Sequence, residues 1–219
     1  MNMKKRMLSI VLSGAMAVST AVSAGSFSAF AVAQCVAYSG SNVNDQDYVQ
    51  WSDTVKSYLT VCDNGNYMRV QSGAIEGKLL VEYYSSDFEP LSTKLIDNEL
   101  PIFGAFYDSG NNYYVLSGQE NPKQNDSLEV FRITKYDKNW NKIKSCGLYG
   151  ANTTVPFDAG SARMTHSGDH LLVRTCHEMY KSSDGNNHQS NVTIEVDMPS
   201  MTITDSYTGI MNVDYGYVS

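Results

Sequence analysis

The chain has 219 residues, a formal net charge of −7 at pH 7, and charged residues at 18% of its positions. An acidic chain lacks the clustered Lys and Arg that a phosphate backbone requires, which excludes nucleic acid as a partner. With 15 Tyr, 16 Gly and no long apolar stretch of helical period after the N-terminus, the composition favours strands and turns. The sequence therefore predicts an all-β fold.

Residues 1–33 have the features of a secretory signal peptide. A basic start at residues 4–6 precedes an apolar stretch over residues 7–24, which is short and broken by small polar residues. Such a segment is typical of a cleaved signal and not of a membrane anchor. The small-residue patterns allow cleavage after one of three alanines: Ala31, Ala33 or Ala24. We therefore expect a secreted or cell-surface protein with no membrane span in its mature chain.

A four-strand pattern begins after a polar lead-in at residues 34–54 and runs through residues 55–219. Its first copy, residues 55–96, contains four strand-like runs: Ser57–Val61, Tyr67–Gln71, Lys78–Tyr84 and Leu91–Ile96. A second copy covers residues 103–146 and a third covers residues 161–204. The chain is thus predicted to repeat one structural unit.

Turn signals keep the copies aligned. Gly65-Asn66, Gly110-Asn111 and Gly168-Asp169 each precede an apolar or aromatic strand, and these steps accept the positive φ that tight hairpins need. About 45 residues separate the first two turn glycines, which is the period of four-stranded propeller blades. The longer second interval indicates an insertion at residues 147–160.

In period and strand pattern, residues 55–219 resemble bacterial secreted β-propellers. The resemblance implies about three complete four-stranded blades, with residues 211–219 beginning a fourth. Because known propellers have about four to eight blades, an incomplete ring is expected, either from truncation or from copies that assemble. The Trp-Asp, kelch and Asp-box signatures are missing from the sequence, so no subfamily is assigned. A β-sandwich, which also has short strands and turns, is the alternative fold.

Propeller geometry sorts the connections by face. The first hairpin turn of every blade lies on one face, and the longer connections lie on the opposite face, where ligands usually bind. Long loops are predicted at residues 119–127, 147–160 and 177–190, and ordered loops of this length usually serve function. We expect ligand binding at six residues near that face: Arg163, His177, Glu178, Tyr180, Asp184 and His188. Three aromatic loop residues are candidates for stacking on sugar rings, or alternatively for loop packing: Tyr149, Phe157 and Tyr180.

All four histidines lie close together in sequence, a pattern that can indicate a metal site. However, His166 and His170 belong to a first hairpin turn, whereas His177 and His188 belong to the opposite face. The strand between them is roughly 20 Å long. A single ion therefore cannot bind all four, and no metal site is predicted. A pair formed by His177 and His188 is the remaining metal arrangement, and the alternative is that both bond their own loop.

Four cysteines, an even number in an exported protein, allow two disulfides. Cys35 lies in the lead-in, and Cys62 ends a strand on the face of the short turns. Cys146 and Cys176 each end a strand on the long-loop face, so a bridge between these two is conceivable. Free buried thiols are the alternative.

The sequence contains no nucleophile elbow, no His-Glu-x-x-His helix and no phosphate loop, so neither a catalytic residue nor a cofactor is predicted. We expect a binding or interaction module whose partner is an extracellular glycan or protein. The alternative is an extracellular propeller enzyme, such as a hydrolase, lyase or sulfotransferase-like protein, that uses Arg163 and His177.

Overall fold

The computed structural model describes residues 54–158, 160 and 162–209. The predicted signal peptide, nearly all of the lead-in and the strand predicted at residues 211–219 lie outside these ranges. Within them the chain forms thirteen strands and no helix. Accordingly, the described ranges hold no helix of the length and hydropathy needed to cross a membrane.

The strands form three antiparallel sheets, and each sheet follows the order of the chain. The first sheet comprises β1 (Ser57–Val61), β2 (Tyr67–Ile75), β3 (Lys78–Tyr84) and β4 (Pro90–Asp97). The second comprises β5 (Ile102–Asp108), β6 (Tyr113–Gly118), β7 (Glu129–Tyr136) and β8 (Lys142–Tyr149). After a short β9 (Thr153–Pro156), the third comprises β10 (Arg163–Ser167), β11 (His170–Lys181), β12 (Asn187–Asp197) and β13 (Thr202–Tyr207).

Two hydrophobic cores join the sheets face to face. The core between the first and second sheets contains Met68, Val70, Leu79, Val81, Phe106, Tyr113 and Val115. The core between the second and third sheets contains Tyr114, Leu116, Phe131, Ile133, Leu171, Val173 and Ile194. Successive side chains of a strand point to opposite faces, so β6 contributes to both cores and all its residues are buried. Four-stranded meanders packed in chain order are propeller blades, which confirms the predicted all-β, propeller-like fold.

The turn between the third and fourth strands has the same feature in each blade. One large residue there has a positive φ, which is uncommon for any residue other than glycine: Phe88 at 62°, Trp140 at 63° and Met201 at 49°. Trp140 and Met201 are buried between their own blade and the preceding blade. Phe88 belongs to the first blade, is 59% exposed, and stacks on Tyr67 with ring centroids 4.4 Å apart. Trp140 and Met201 therefore fix the second and third blades against the blades that precede them.

The predicted loop at residues 177–190 is wrong. β11 continues to Lys181 and β12 begins at Asn187, which leaves a turn of only a few residues. The strand continues because buried side chains persist past Cys176, with His177 and Met179 both buried. β9 adds a further partner by pairing with this extension of β11. Consequently, the predicted loop at residues 147–160 is also partly strand, since it includes the end of β8 and all of β9.

Trp140 and Phe88 allow a matched test of the blade contact. We expect Trp140→Ala to reduce the free energy of unfolding by about 3–5 kcal/mol, because a buried aromatic side chain leaves a cavity between two blades. Phe88→Ala, at the equivalent turn position, should cost about 1 kcal/mol or less, because the ring is largely exposed. Urea unfolding followed by fluorescence and circular dichroism measures both. Equal losses for the two variants would contradict the proposed role of Trp140.

Candidate functional site

A cleft of about 480 Å³ opens where the first blade meets the second. It lies at the end of the sheets where the innermost strands β1 and β5 begin, the face that carries the connections between blades. Its volume is within the range of small-molecule sites. The described lining residues are Thr54, Lys56, Ser72, Gly73, Pro101, Ile102, Phe103, Val155, Pro156, Phe157 and Asp158.

Phe157 forms part of the cleft wall and is held in a recess made by two glycines. A Cβ atom at Gly104 would lie 2.4 Å from its Cζ, and one at Gly118 would lie 2.8 Å from its Cε2. The ring also packs edge-on against Phe131, with centroids 5.4 Å apart. Phe157 has a φ of 62°, and the register of β5 shifts beside Gly104. Positive-φ residues and bulges of this kind are frequent at functional sites.

The polar groups of the cleft come from three segments of the chain. The Thr54 hydroxyl donates to the carbonyl of Phe103 at 3.1 Å, which fixes the start of the first blade against β5. Asp158 Oδ2 accepts a hydrogen bond from Gln189 Nε2 at 2.6 Å. Lys56 supplies the amine and Asp158 the carboxylate among the described lining residues. The cleft thus combines an apolar wall with a hydroxyl, a cation and an anion.

None of the six residues predicted to bind ligand is among the described lining residues. His177 is fully buried in β11. Its Nδ1 lies 2.6 Å from Thr153 Oγ1, and that hydroxyl donates to the carbonyl of Ala151 at 2.8 Å. Burial lowers the pKa of His177 to about 4, although hydrogen bonding with the Thr208 backbone acts in the opposite direction. The imidazole is therefore neutral at pH 7 and ties β9 to β11.

Glu178 and Tyr180 both lie in the part of β11 that extends beyond Cys176. Glu178 accepts a hydrogen bond from Thr154 Oγ1 at 2.5 Å, across the pairing of β9 with β11. The Tyr180 hydroxyl accepts one from Asn121 Nδ2 at 3.0 Å. Burial raises the pKa of Tyr180, and Asp126 adds to the effect. The bond between Tyr180 and Asn121 connects the third blade to residues 119–127, which form a loop as predicted.

Asp184 and His188 are the one pair of predicted residues that the structure joins by a hydrogen bond in its described part. They lie at the tip of the β11–β12 hairpin, with His188 Nε2 and Asp184 Oδ2 2.7 Å apart. Hydrogen bonds from Ser182, Asn186 and His188 hold the pKa of Asp184 well below its usual range. Arg163 is exposed at the start of β10 and lines a different cavity.

The histidines bond four different partners. His166 Nδ1 lies 2.6 Å from the Tyr107 hydroxyl, and His170 Nδ1 lies 2.7 Å from Glu195 Oε1. His177 and His188 have the separate partners given above. Within residues 54–158, 160 and 162–209, no group of three or more His, Cys, Asp or Glu side chains is placed to hold a metal ion.

The bridge considered between Cys146 and Cys176 is absent, because neither thiol forms a disulfide. Cys146 packs against the core between the second and third blades. Leu171 and Val173 face the same core, so alternation along β11 directs Cys176 to the other face of the third sheet. There its Sγ donates to Asn191 Oδ1 at 3.5 Å. The two thiols thus lie on opposite faces of the third sheet.

Of the cleft residues, the sequence pattern singled out only Phe157, among the aromatic residues of the long connections. Thr54 and Lys56 precede β1 and could have been found from the blade pattern, since residues just before an innermost strand lie at the mouth of a propeller. Asp158 had no such signal, because its position depends on β9, which the pattern did not reveal.

No family model and no curated protein matches this chain. Among solved structures, it is similar to a GH43 β-1,3-galactosidase with galactodeoxynojirimycin, at 11% identity and a TM-score of 0.38, covering 69% of this chain and 45% of that one. It is similar to an exo-β-1,3-galactanase from Clostridium thermocellum at 6% identity and a TM-score of 0.38, covering 65% and 32%. It is also similar to Drosophila Plexin A in complex with Semaphorin 1b, at 10% identity and a TM-score of 0.33, covering 64% and 40%. The chain spans less than half the length of each, and likeness of this degree assigns no family.

His177 predicts a specific pH dependence of stability. The pKa of His177 is lower in the folded protein than in the unfolded chain, so the unfolded chain takes up the proton first as the pH falls. The free energy of unfolding therefore decreases as the pH falls from about 6.5 towards 4. We expect a loss of about 2 kcal/mol between pH 8 and pH 5 from this residue. Urea unfolding of wild type and His177→Gln at both pH values isolates the contribution. His188→Gln, which changes an exposed histidine, should retain the wild-type difference, and an unchanged difference in His177→Gln would refute the assignment.

Proposed function

We propose that the protein is an exported glycan-binding module and that a short oligosaccharide binds in the cleft between the first and second blades. The observation that carries this proposal is the composition of the cleft: the apolar residues Pro101 and Ile102 line it together with the Asp158 carboxylate and the Lys56 amine. The export expected from residues 1–33 supports an extracellular partner.

A sugar ring offers hydroxyl groups at its edge and C–H groups on its faces, and the cleft has a counterpart for each. An ionised carboxylate has about four lone-pair sites, so Asp158 retains acceptor capacity beyond its bond to Gln189. Lys56 and Ser72 add donors on the side of the first blade. Pro101 and Ile102 provide apolar surface for the ring face.

The size of the cleft favours a glycan over a protein partner. A stable protein interface buries roughly 800 Å² of accessible surface on each partner, which requires a broad surface. The concave site described here is small and has its charged groups close to apolar side chains, the arrangement of a small-molecule site.

The described lining also supports binding over glycoside hydrolysis. Glycosidases generally use two carboxyl groups on either side of the scissile bond. Asp158 is the single carboxylate among the described lining residues. His177, one of the residues expected for the enzyme alternative, is buried and bonded to Thr153 away from the cleft.

Isothermal titration of the protein with soluble galacto-, gluco-, xylo- and manno-oligosaccharides tests the proposal. At least one series should bind, and Asp158→Asn should weaken that binding at least about tenfold, because a hydrogen bond to a charged acceptor is worth roughly 1.5–3 kcal/mol. Asp184→Asn removes an exposed carboxylate outside the cleft and should leave the affinity unchanged.

Thermal melting of both variants confirms that each is folded before the affinities are compared. The proposal fails if no oligosaccharide binds, or if Asp158→Asn binds as tightly as wild type. Release of new reducing ends during incubation with the bound series would instead support the enzyme alternative.

A further inference from the structure

A second cavity, of about 300 Å³, lies between the first and second blades at the end of the sheets opposite the cleft, where β1 ends and β6 begins. This volume is at the lower limit of small-molecule sites. The described lining residues are Cys62, Asp63, Asn64, Asn66, Tyr83, Tyr113 and Lys138. Cys62 and Tyr83 both pack against the core between these two blades, which agrees with a position between the sheets. The cavity thus brings a thiol together with two phenols, a carboxylate and an amine.

Tyr113 supplies a buried polar group to this cavity. The residue is 4% exposed, and its ring centroid lies 5.6 Å from that of Phe106 and 4.8 Å from that of Trp140. Lys138 Nζ lies 4.4 Å from the ring centroid and 2.6 Å from Asp108 Oδ1. Within the part of the chain that the structure describes, the Tyr113 hydroxyl has no hydrogen-bond partner. Burial raises the pKa of Tyr113, so the phenol keeps its proton at neutral pH and is available to donate it to a bound molecule.

Cys62 is a half-buried free thiol in the turn between β1 and β2. Its backbone N–H donates to the carbonyl of Asn66 at 2.7 Å, which fixes its position in the turn. Burial raises the pKa of the thiol, Lys138 acts in the opposite direction, and Asp108 and Asp63 raise it further. The thiol is therefore mostly protonated at neutral pH. The thiolate that forms is strongly nucleophilic, because nucleophilicity increases with the pKa of a thiol.

The cavity carries a negative charge at its rim. Lys138 is compensated by its pair with Asp108, whereas Asp63 is exposed and has no ion-pair partner among the described residues. The Tyr83 hydroxyl accepts a hydrogen bond from Trp140 Nε1 at 3.1 Å, which leaves its own O–H to donate. Burial raises the pKa of Tyr83, so this phenol is also neutral at pH 7. A molecule with a positive group at one end therefore complements the cavity.

We propose that Cys62 is a modification site, which exchanges with a small aliphatic disulfide that bears an ammonium group. The Cys62 sulfur attacks one sulfur of that disulfide, whose S–S bond breaks as a new S–S bond joins one half to the protein. The other half leaves as a thiol and takes up the proton that Cys62 lost. The Tyr113 hydroxyl donates to the departing sulfur, and the Asp63 carboxylate binds the ammonium group of the half that stays.

The location of the protein and the separation of the two sites bear on this proposal. The export expected from residues 1–33 would place the chain in oxidising surroundings, where small disulfides persist. The cavity shares no described lining residue with the saccharide cleft, so either proposal can fail without the other.

The test offers the protein cationic cystamine, uncharged hydroxyethyl disulfide or anionic dithiodiglycolate at low salt and about pH 8.5, near the ordinary thiol pKa. Peptide mapping by mass spectrometry follows each cysteine separately. Cys62 should react at least about tenfold faster than Cys146 or Cys176, because neither of these lines the cavity and burial restricts access to a thiol. At Cys62, cystamine should react at least about fivefold faster than dithiodiglycolate, since the Asp63 charge attracts one reagent and repels the other.

Two variants with matched controls test the cavity groups. Tyr113→Phe keeps the ring and should slow the reaction of Cys62 with cystamine about threefold to tenfold, as expected for one lost hydrogen bond. Tyr149→Phe, at an exposed tyrosine outside the cavity, should react as wild type does. Asp63→Asn should lower the preference for cystamine over dithiodiglycolate at least about threefold. Asp205→Asn, at an exposed carboxylate of the third blade, should leave this preference unchanged.

Thermal melting shows that each variant is folded before the rates are compared. Modification of Cys62 no faster than that of Cys146 would overturn the proposal. So would an unchanged reagent preference in Asp63→Asn, or a wild-type rate in Tyr113→Phe.

Discussion

The seating of Phe157 between Gly104 and Gly118 is the contact on which the arrangement of the blades and the cleft depends. Its ring occupies space that any Cβ atom at either glycine would take, and it packs against Phe131 in the core between the second and third blades. The same residue lies on the connection that leads to the third blade and lines the cleft beside the first. One side chain therefore couples the path of the chain to the shape of the candidate site. Its positive φ is maintained because the surrounding strands leave no other place for the ring.

The second blade has the central role in the packing. Both faces of β6 are buried, and the turn residues Trp140 and Met201 fix the successive blade contacts. Ion pairs reinforce the edge near the connection from the first blade, where Glu99 bonds both Arg132 and Lys142. The cleft is bordered by the ends of β2, β5 and β9 and by the residues that flank them.

Much of the architecture follows from local patterns in the sequence, because turn glycines and alternating strands recur once in each blade. The positions of β1 and β3 are predicted to the residue for this reason. The β11–β12 hairpin beyond Cys176 is not predicted, because its second half is polar and resembles a loop in sequence. The pairing of β11 with β9 is a tertiary contact, which the local sequence does not indicate. The site is missed for a related reason: Thr54, Lys56 and Asp158 are distant in sequence, and blade packing alone brings them together. Burial likewise makes His177 a neutral structural residue, which its sequence neighbours do not indicate.

A double-mutant cycle between Gly104→Ala and Phe157→Ala tests the central contact most directly. Alone, Gly104→Ala should reduce the free energy of unfolding by about 1–3 kcal/mol, because the added methyl group displaces the Phe157 ring. In the Phe157→Ala background the same substitution should cost much less, because the remaining close contact is with Leu116 Cγ at 3.1 Å, so the two effects should be strongly non-additive. Additive losses in urea unfolding would show that the ring does not occupy this recess, and they would contradict the account of both the blade connection and the cleft.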